Sequence, residues 1–112
     1  MKACPTVQRD FHRLVNMGAA EIRAWAKDPR AKCASFPETR ARLPMLAALK
    51  AKKSEWTQRD CQYGLRVISF NSRHIGQMKR FGCTVRETVA LRNWGHMPKC
   101  PMPPKGCTPR KR

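Results

Sequence analysis

Residues 57–81, TQRDCQYGLRVISFNSRHIGQMKRF, make the longest proline-free run in the chain that also repeats its apolar residues at helical spacing. At 3.6 residues per turn, Cys61, Gly64, Val67, Ile68, Asn71, His74, Ile75, Met78 and Phe81 fall on one broad stripe, which predicts a helix with one buried face. Thr57, with Asp60 three residues on, is a ready N-cap, and the acid lies at the positive end of the helix dipole. On the other side Arg59, Arg66, Arg73 and Arg80 recur every seventh residue. A seven-residue step drifts only about 20° per repeat. The four guanidinium groups therefore form a nearly straight ridge roughly 30 Å long, close to one turn of a B-form duplex at about 34 Å. A solvated face usually mixes signs, whereas the one acid in this run is Asp60.

Charge narrows the partners. Twenty-four Lys and Arg against seven Asp and Glu give 112 residues a formal charge of +17. Such a chain repels itself until a polyanion neutralises it, which makes nucleic acid the first partner to consider. Duplex DNA is favoured over RNA by the ridge, and an acidic protein in a larger assembly is the other candidate. The length suits one small domain with a modest core, too small for a deep water-excluding cavity as well. No apolar run is long enough to span a membrane, and Met-Lys-Ala-Cys-Pro lacks the apolar core of a signal peptide. The expectation is an intracellular protein (nucleoid or nucleus) or one inside a virion, and not a secreted one. Cys4, Cys33, Cys61, Cys83, Cys100 and Cys107 are scattered singly, and Cys61 is on the buried stripe, so reduced thiols are expected.

Shorter helices are expected to pack on the central one. Thr6 can cap a helix reaching about Met17, with Val7, Phe11, Leu14 and Val15 at helical spacing and Gly18 as its stop. Residues 19–27 place Ile22, Trp25 and Ala26 on one face before Asp28-Pro29 ends them, and the two pieces read as a helical hairpin. Residues 30–38 read as a loop or single turn. Leu43-Pro44 opens a helix through Met45, Leu46, Ala48 and Leu49 to Lys53. Residues 38–42 read equally as an earlier turn of that helix, kinked at Pro44. Trp56 is expected to pack at the joint with the long helix. After Gly82-Cys83, Thr84 with Glu87 matches a capping box for a last helix to about Trp94, closed by Gly95. Without any strand-like alternation the fold class is all-α: a bundle of four or five helices spanning residues 1–97. Residues 98–112 hold five prolines, five basic residues and no acid, and are expected to form an extended basic arm. Thr108-Pro109 within it has the form of a proline-directed phosphorylation site.

Catalytic machinery is not expected. His12, His74 and His96 lie on separate predicted elements with no acid spaced to orient them, and no phosphate loop, serine elbow or paired carboxylates is present. His74 reads as a hydrogen-bonded core histidine. Cys83, His96, Cys100 and Cys107 are zinc-type ligands, yet without a Cys-x2-Cys pair no metal site is assigned, and no cofactor is expected.

Phe11-His12-Arg13-Leu14-Val15-Asn16-Met17, Ile22 with Trp25, Lys52-Lys53, Thr57, Arg66-Val67-Ile68, Arg73-His74-Ile75 and Asn93-Trp94-Gly95-His96-Met97-Pro98 occur in that order. In order and spacing they resemble a small all-helical domain-of-unknown-function family of bacteria and fungi, most specifically in the LVNM and NWGH phrases. Members are commonly labelled DNA-binding, so the resemblance implies that activity without assigning residues to it. Asn16 and Asn93 are at helix ends, where an amide side chain satisfies stray backbone groups. If the two phrases pack together, the ridge is left outside. The sequence thus points to low-specificity phosphate binding in a packaging role. Arg59, Arg66, Arg73 and Arg80 are its ridge, Lys50, Lys52 and Lys53 a flanking patch, and Lys99, Lys105, Arg110, Lys111 and Arg112 its arm. A ribonucleoprotein constituent and a capsid-type structural protein are the alternatives.

Overall fold

The computed structural model describes residues 4–102. Helix α5, Gln58–Phe81, supplies 24 residues and nearly the whole length of a body measuring 40 × 29 × 24 Å. Its start is fixed reciprocally: Asp60 N donates to Thr57 Oγ1 at 3.1 Å, and Thr57 N donates to the Asp60 carboxylate at 2.9 Å. Gly82 ends it at φ 85°, donating its N–H to Met78 O at 2.8 Å.

The remaining elements are α1 (Cys4–Leu14), α2 (Ala19–Ala26), a 3-10 turn (Pro29–Cys33), the single turn α3 (Pro37–Arg40), α4 (Leu43–Ala51) and α6 (Val85–Arg92). No strand occurs among the described residues, so the domain is all-α, with five helices of two turns or more. The stretch before Leu43 is a separate turn, not a kinked extension of α4. The hairpin expected of α1 and α2 is not the dominant pairing. Instead α1 lies along α5, with Val7 beside Gly64, and α2 lies against α4, with Ile22, Trp25, Leu43 and Leu46 all buried in the one core.

Close packing of α1 on α5 depends on Gly64. A Cβ there would stand 2.6 Å from Trp56 Cζ3 and 3.3 Å from Val7 Cγ1. Trp56 itself is buried at the joint, edge-on to Phe11 with ring centroids 5.1 Å apart.

The cysteines correct the expectation of reduced thiols. Cys61 faces α1, whose first residue Cys4 comes within a Cα–Cα distance of 5.7 Å, and the two are joined in a disulfide. Cys83 and Cys100 are joined across 5.9 Å, and Cys33 is disulfide-bonded as well. The pairs are far apart in sequence, which is why single scattered cysteines concealed them.

The LVNM and NWGH phrases do interlock. Asn16 Nδ2 donates to Met97 O at 3.0 Å while Met97 N donates to Asn16 Oδ1 at 2.6 Å. Met17 N reaches Gly95 O at 3.2 Å, and His96 Nδ1 meets Leu14 O at 2.7 Å. Gly95 has φ 82° and sits so close to Val15 Cγ1 that a Cβ would be 2.7 Å from it.

Past Asn71 the stripe of α5 is less covered than expected. Ile75 and Met78 are half-buried and Phe81 is 72% exposed, because α1 covers only the first half of the longer helix. The first residues expected of the arm are held against the domain. Pro98 is buried, and Cys100 is tied to Cys83 with its sulfur 3.3 Å from Met78 Sδ.

Candidate nucleic-acid interface

Every arginine of the heptad ridge is exposed: Arg59, Arg66, Arg73 and Arg80 all lie on the outer side of α5, opposite buried Cys61, Gly64, Val67 and Asn71. Among the described residues none of the four is held in an ion pair. Two rest on aromatic neighbours, Arg73 with Cζ 6.0 Å from the Phe70 ring centroid and Arg80 with Cζ 5.2 Å from that of Phe81. The local reason is the heptad step, which keeps one side of a straight helix polar while the other is committed to the core.

The flanking lysines divide. Lys50 Nζ donates to His12 O at 3.3 Å and Val15 O at 2.5 Å, which caps the C-terminal carbonyls of α1, and burial pushes its pKa down. Lys52 pairs with Asp60 at 2.6 Å; that hydrogen bond, helped by the backbone of Thr57, holds the Asp60 carboxyl below its ordinary range. Lys53 is exposed, and the His12 pKa is pushed down by burial first, then by Lys50 and Lys53. Of the sequence-predicted patch, then, two lysines are engaged in building the domain. Lys99 is exposed at the far end, while Lys105, Arg110, Lys111, Arg112 and Thr108 lie outside the described residues.

Between α4 and the start of α5 a hollow of about 350 Å³ is lined by Met45, Ala48, Leu49, Lys52, Arg59 and Tyr63, among others. Burial pushes the Tyr63 phenol up to about 12 against the opposing fields of Arg42 and Arg66. Arg42, one residue before α4, thus lies near the Tyr63 phenol, as Arg66 does. Its sequence position, in a stretch read as a turn, gave no sign of this.

The larger omission concerns His74. Sequence spacing offered it no acid, yet Glu87 on α6 places its carboxylate 2.8 and 2.9 Å from His74 Nδ1. Glu87 was expected to complete a capping box. Thr84 Oγ1 does accept from Glu87 N at 3.1 Å, but the Glu87 carboxylate turns to His74. His74 also stacks on Phe70, centroids 4.0 Å apart, and Phe70 stacks on Trp94 at 4.6 Å. Only a contact between residues thirteen apart on different helices reveals this group, and no local spacing signals it.

The zinc-type set is not assembled: Cys83 and Cys100 are consumed by their mutual disulfide, and His96 is bonded to Leu14 O. No group of three or more metal-type ligands comes together among the described residues. No helix of the described residues is long and apolar enough to cross a membrane. No protein-family model, curated protein or solved structure matches this chain, so the resemblance rests on the ordered phrases quoted from the sequence, LVNM and NWGH most specifically.

Proposed function

We propose that this protein binds nucleic acid through the phosphate backbone, prefers duplex DNA to RNA, reads little sequence, and serves in packaging. The observation that carries this reading is the row of four exposed arginines on one side of α5, without acidic partners and facing away from the core. Their span of roughly 30 Å at about 1.5 Å per residue suits a rigid track for successive phosphates. A total charge of +17 supplies the long-range attraction. Four arginines repeated at one step suit uniform contacts along a phosphate backbone, which favours packaging over repression.

The disulfides bear on where this happens. Bonds at Cys4–Cys61, Cys83–Cys100 and Cys33 suit an oxidising surrounding and favour a virion over a nucleoid or nucleus. A second reading, a structural protein of a capsid-type assembly, is favoured by the apolar surface at the turn from α5 to α6, where Phe81 is 72% and Val85 41% exposed.

The test is a salt series of binding to matched duplex DNA, duplex RNA and single strands, with the full chain and with one ending at Met102. Tightest binding to duplex DNA, with log affinity falling steeply against log salt and less steeply without the last residues, is the expected result. Weak binding to all three at physiological salt overturns the reading and turns attention to an acidic protein partner.

A further inference from the structure

Every residue from Lys79 to Arg86 is exposed, and together they carry the chain from the end of α5 into α6. Two of them are large and apolar: Phe81 is 72% and Val85 41% exposed. Met102, 43% exposed, comes two residues after Cys100, whose bond to Cys83 brings it to the same turn. The 24 residues of α5 extend about 36 Å, nearly the 40 Å of the body, so this turn is at one extremity of the molecule.

The turn is fixed at both ends. Gly82, at φ 85°, donates to Met78 O, Thr84 caps α6 by accepting from Glu87 N, and Cys100, bonded to Cys83, has its sulfur 3.3 Å from Met78 Sδ. A phenyl ring held in water on such a turn marks a contact surface.

Charge decides which contact. Residues 76–102 hold one acid, Glu87, and its carboxylate is turned to His74 at 2.8 Å. Lys79, Arg80, Arg86 and Lys99 are exposed and flank the apolar residues, and Arg80 Cζ is 5.2 Å from the Phe81 ring centroid.

We propose that this tip docks on an anionic lipid bilayer, with Phe81 and Val85 entering the boundary between headgroups and acyl chains while the four cations meet lipid phosphates. Three apolar side chains are too few for the roughly 800 Å² per partner of a stable protein interface. A bilayer instead yields around a projecting ring, and a small apolar insertion joined to a basic patch supplies the two signals that anchoring needs. Arg80 suits this arrangement, because its long stem lets the guanidinium stay at headgroup level above the inserted ring. Attraction to anionic headgroups acts on all of so basic a protein, and the apolar residues set which end goes in. The tip is at the end of α5 and the ridge along its side, so the proposal does not rest on the nucleic-acid reading.

The experiment is cosedimentation of the full chain with vesicles of phosphatidylcholine alone and of phosphatidylcholine mixed with phosphatidylglycerol, over a salt series. Binding is expected to the mixed vesicles only, part of it persisting at about 0.15 M salt, where the Debye length is about 8 Å. Phe81→Ser keeps the net charge and leaves the core intact, and it is expected to lower affinity about tenfold, the scale of returning most of one phenyl ring to water. Met45→Ser, at another exposed apolar residue but on α4, should bind like the parent. Equal binding by Phe81→Ser and the parent at every salt concentration overturns the proposal, because charge alone then holds the protein. Equal binding to the two vesicle compositions overturns it too, since the cations then contribute nothing. Absence of binding to the mixed vesicles overturns it and leaves the tip to a protein partner. A loss in Phe81→Ser seen with duplex DNA and not with vesicles also overturns it, and assigns the tip to the nucleic-acid surface.

Discussion

Asn93 accepts the indole N–H of Trp25 at 2.8 Å, a buried contact between residues 68 apart in sequence. The same side chain donates to Ala31 O at 3.0 Å and Ala34 O at 3.2 Å, so it closes three segments of the chain at once. Removing it strands a buried donor and two carbonyls together. Asn93→Ala is expected to destabilise by about 3 kcal/mol, the sum of lost hydrogen bonds and desolvated partners. A urea melt followed by circular dichroism checks this, and a loss below about 1 kcal/mol would show that water replaces the amide.

The role of Asn93 was partly legible: a helix-end asparagine next to Trp94-Gly95 suggested a structural lock, and the interlocking of Asn16 with Met97 follows the same logic. Helix caps at Thr57 and Thr84, the stops at Gly82 and Gly95, and the outward ridge are local features, dictated by backbone chemistry within a turn or two. Cys4 with Cys61 and His74 with Glu87 were invisible, because each pair is formed by the packing of one helix on another. The overestimate of the buried stripe has the same origin. Periodicity shows which side of α5 is apolar, while the length of α1 decides how much of that side is covered.

Gly64 is where α1 and Trp56 approach the long helix most closely. Alanine is the better helix former by roughly 1 kcal/mol, so a gain would be expected from propensity alone. Steric conflict reverses the sign. With Trp56 Cζ3 only 2.6 Å from the added methyl, Gly64→Ala should cost about 1–3 kcal/mol, while Gly76→Ala, with nothing within 4 Å, should stabilise. Thermal melts of the two variants shifting in opposite directions are the expected outcome.

Tyr63 is the one tyrosine of the chain, so its titration can be followed by phenolate absorbance without overlap. Its folded pKa is raised from 10.0 to about 12 by burial. A raised phenol pKa means the neutral form is favoured in the folded state, so the contribution is present in full below pH 10 and is lost as pH climbs towards 12. The native protein should titrate near 12, the denatured chain near 10, and stability should fall through that window. Tyr63→Phe should flatten the fall.

The ridge and the flanking patch make different predictions. Arg66→Gln removes one exposed cation and should lower the salt slope of DNA binding by about 0.9 with the fold unchanged. Lys53→Gln should behave the same way. Lys50→Gln should instead leave most of the slope in place and lower the melting temperature, because its ammonium satisfies the end of α1. If Lys50→Gln reduces the slope as much as Arg66→Gln, then the lysine leaves its carbonyls for a phosphate and the cap is dispensable.

The Cys4–Cys61 bond closes a loop with a sequence separation of 57. It fastens the first residue of α1 to the first turn of α5, on the side where Gly64 brings the two helices together. Chain-entropy arguments for a loop of that size give about 4 kcal/mol of stabilisation, while the bond at Cys83–Cys100, with a separation of 17, gives about 3 kcal/mol. A protein with this net charge depends on such cross-links more than most, since its own repulsion favours the expanded chain. The double substitution Cys4→Ala with Cys61→Ala is therefore expected to lower the melting temperature by about 15 °C at low salt. Adding a duplex should recover part of the loss, because neutralising the ridge removes repulsion and binding favours the folded state. A variant that melts with the parent, with or without DNA, would show that α1 is held by packing on Trp56 and Gly64 alone. An unrecoverable loss would show that the duplex does not bind the folded variant.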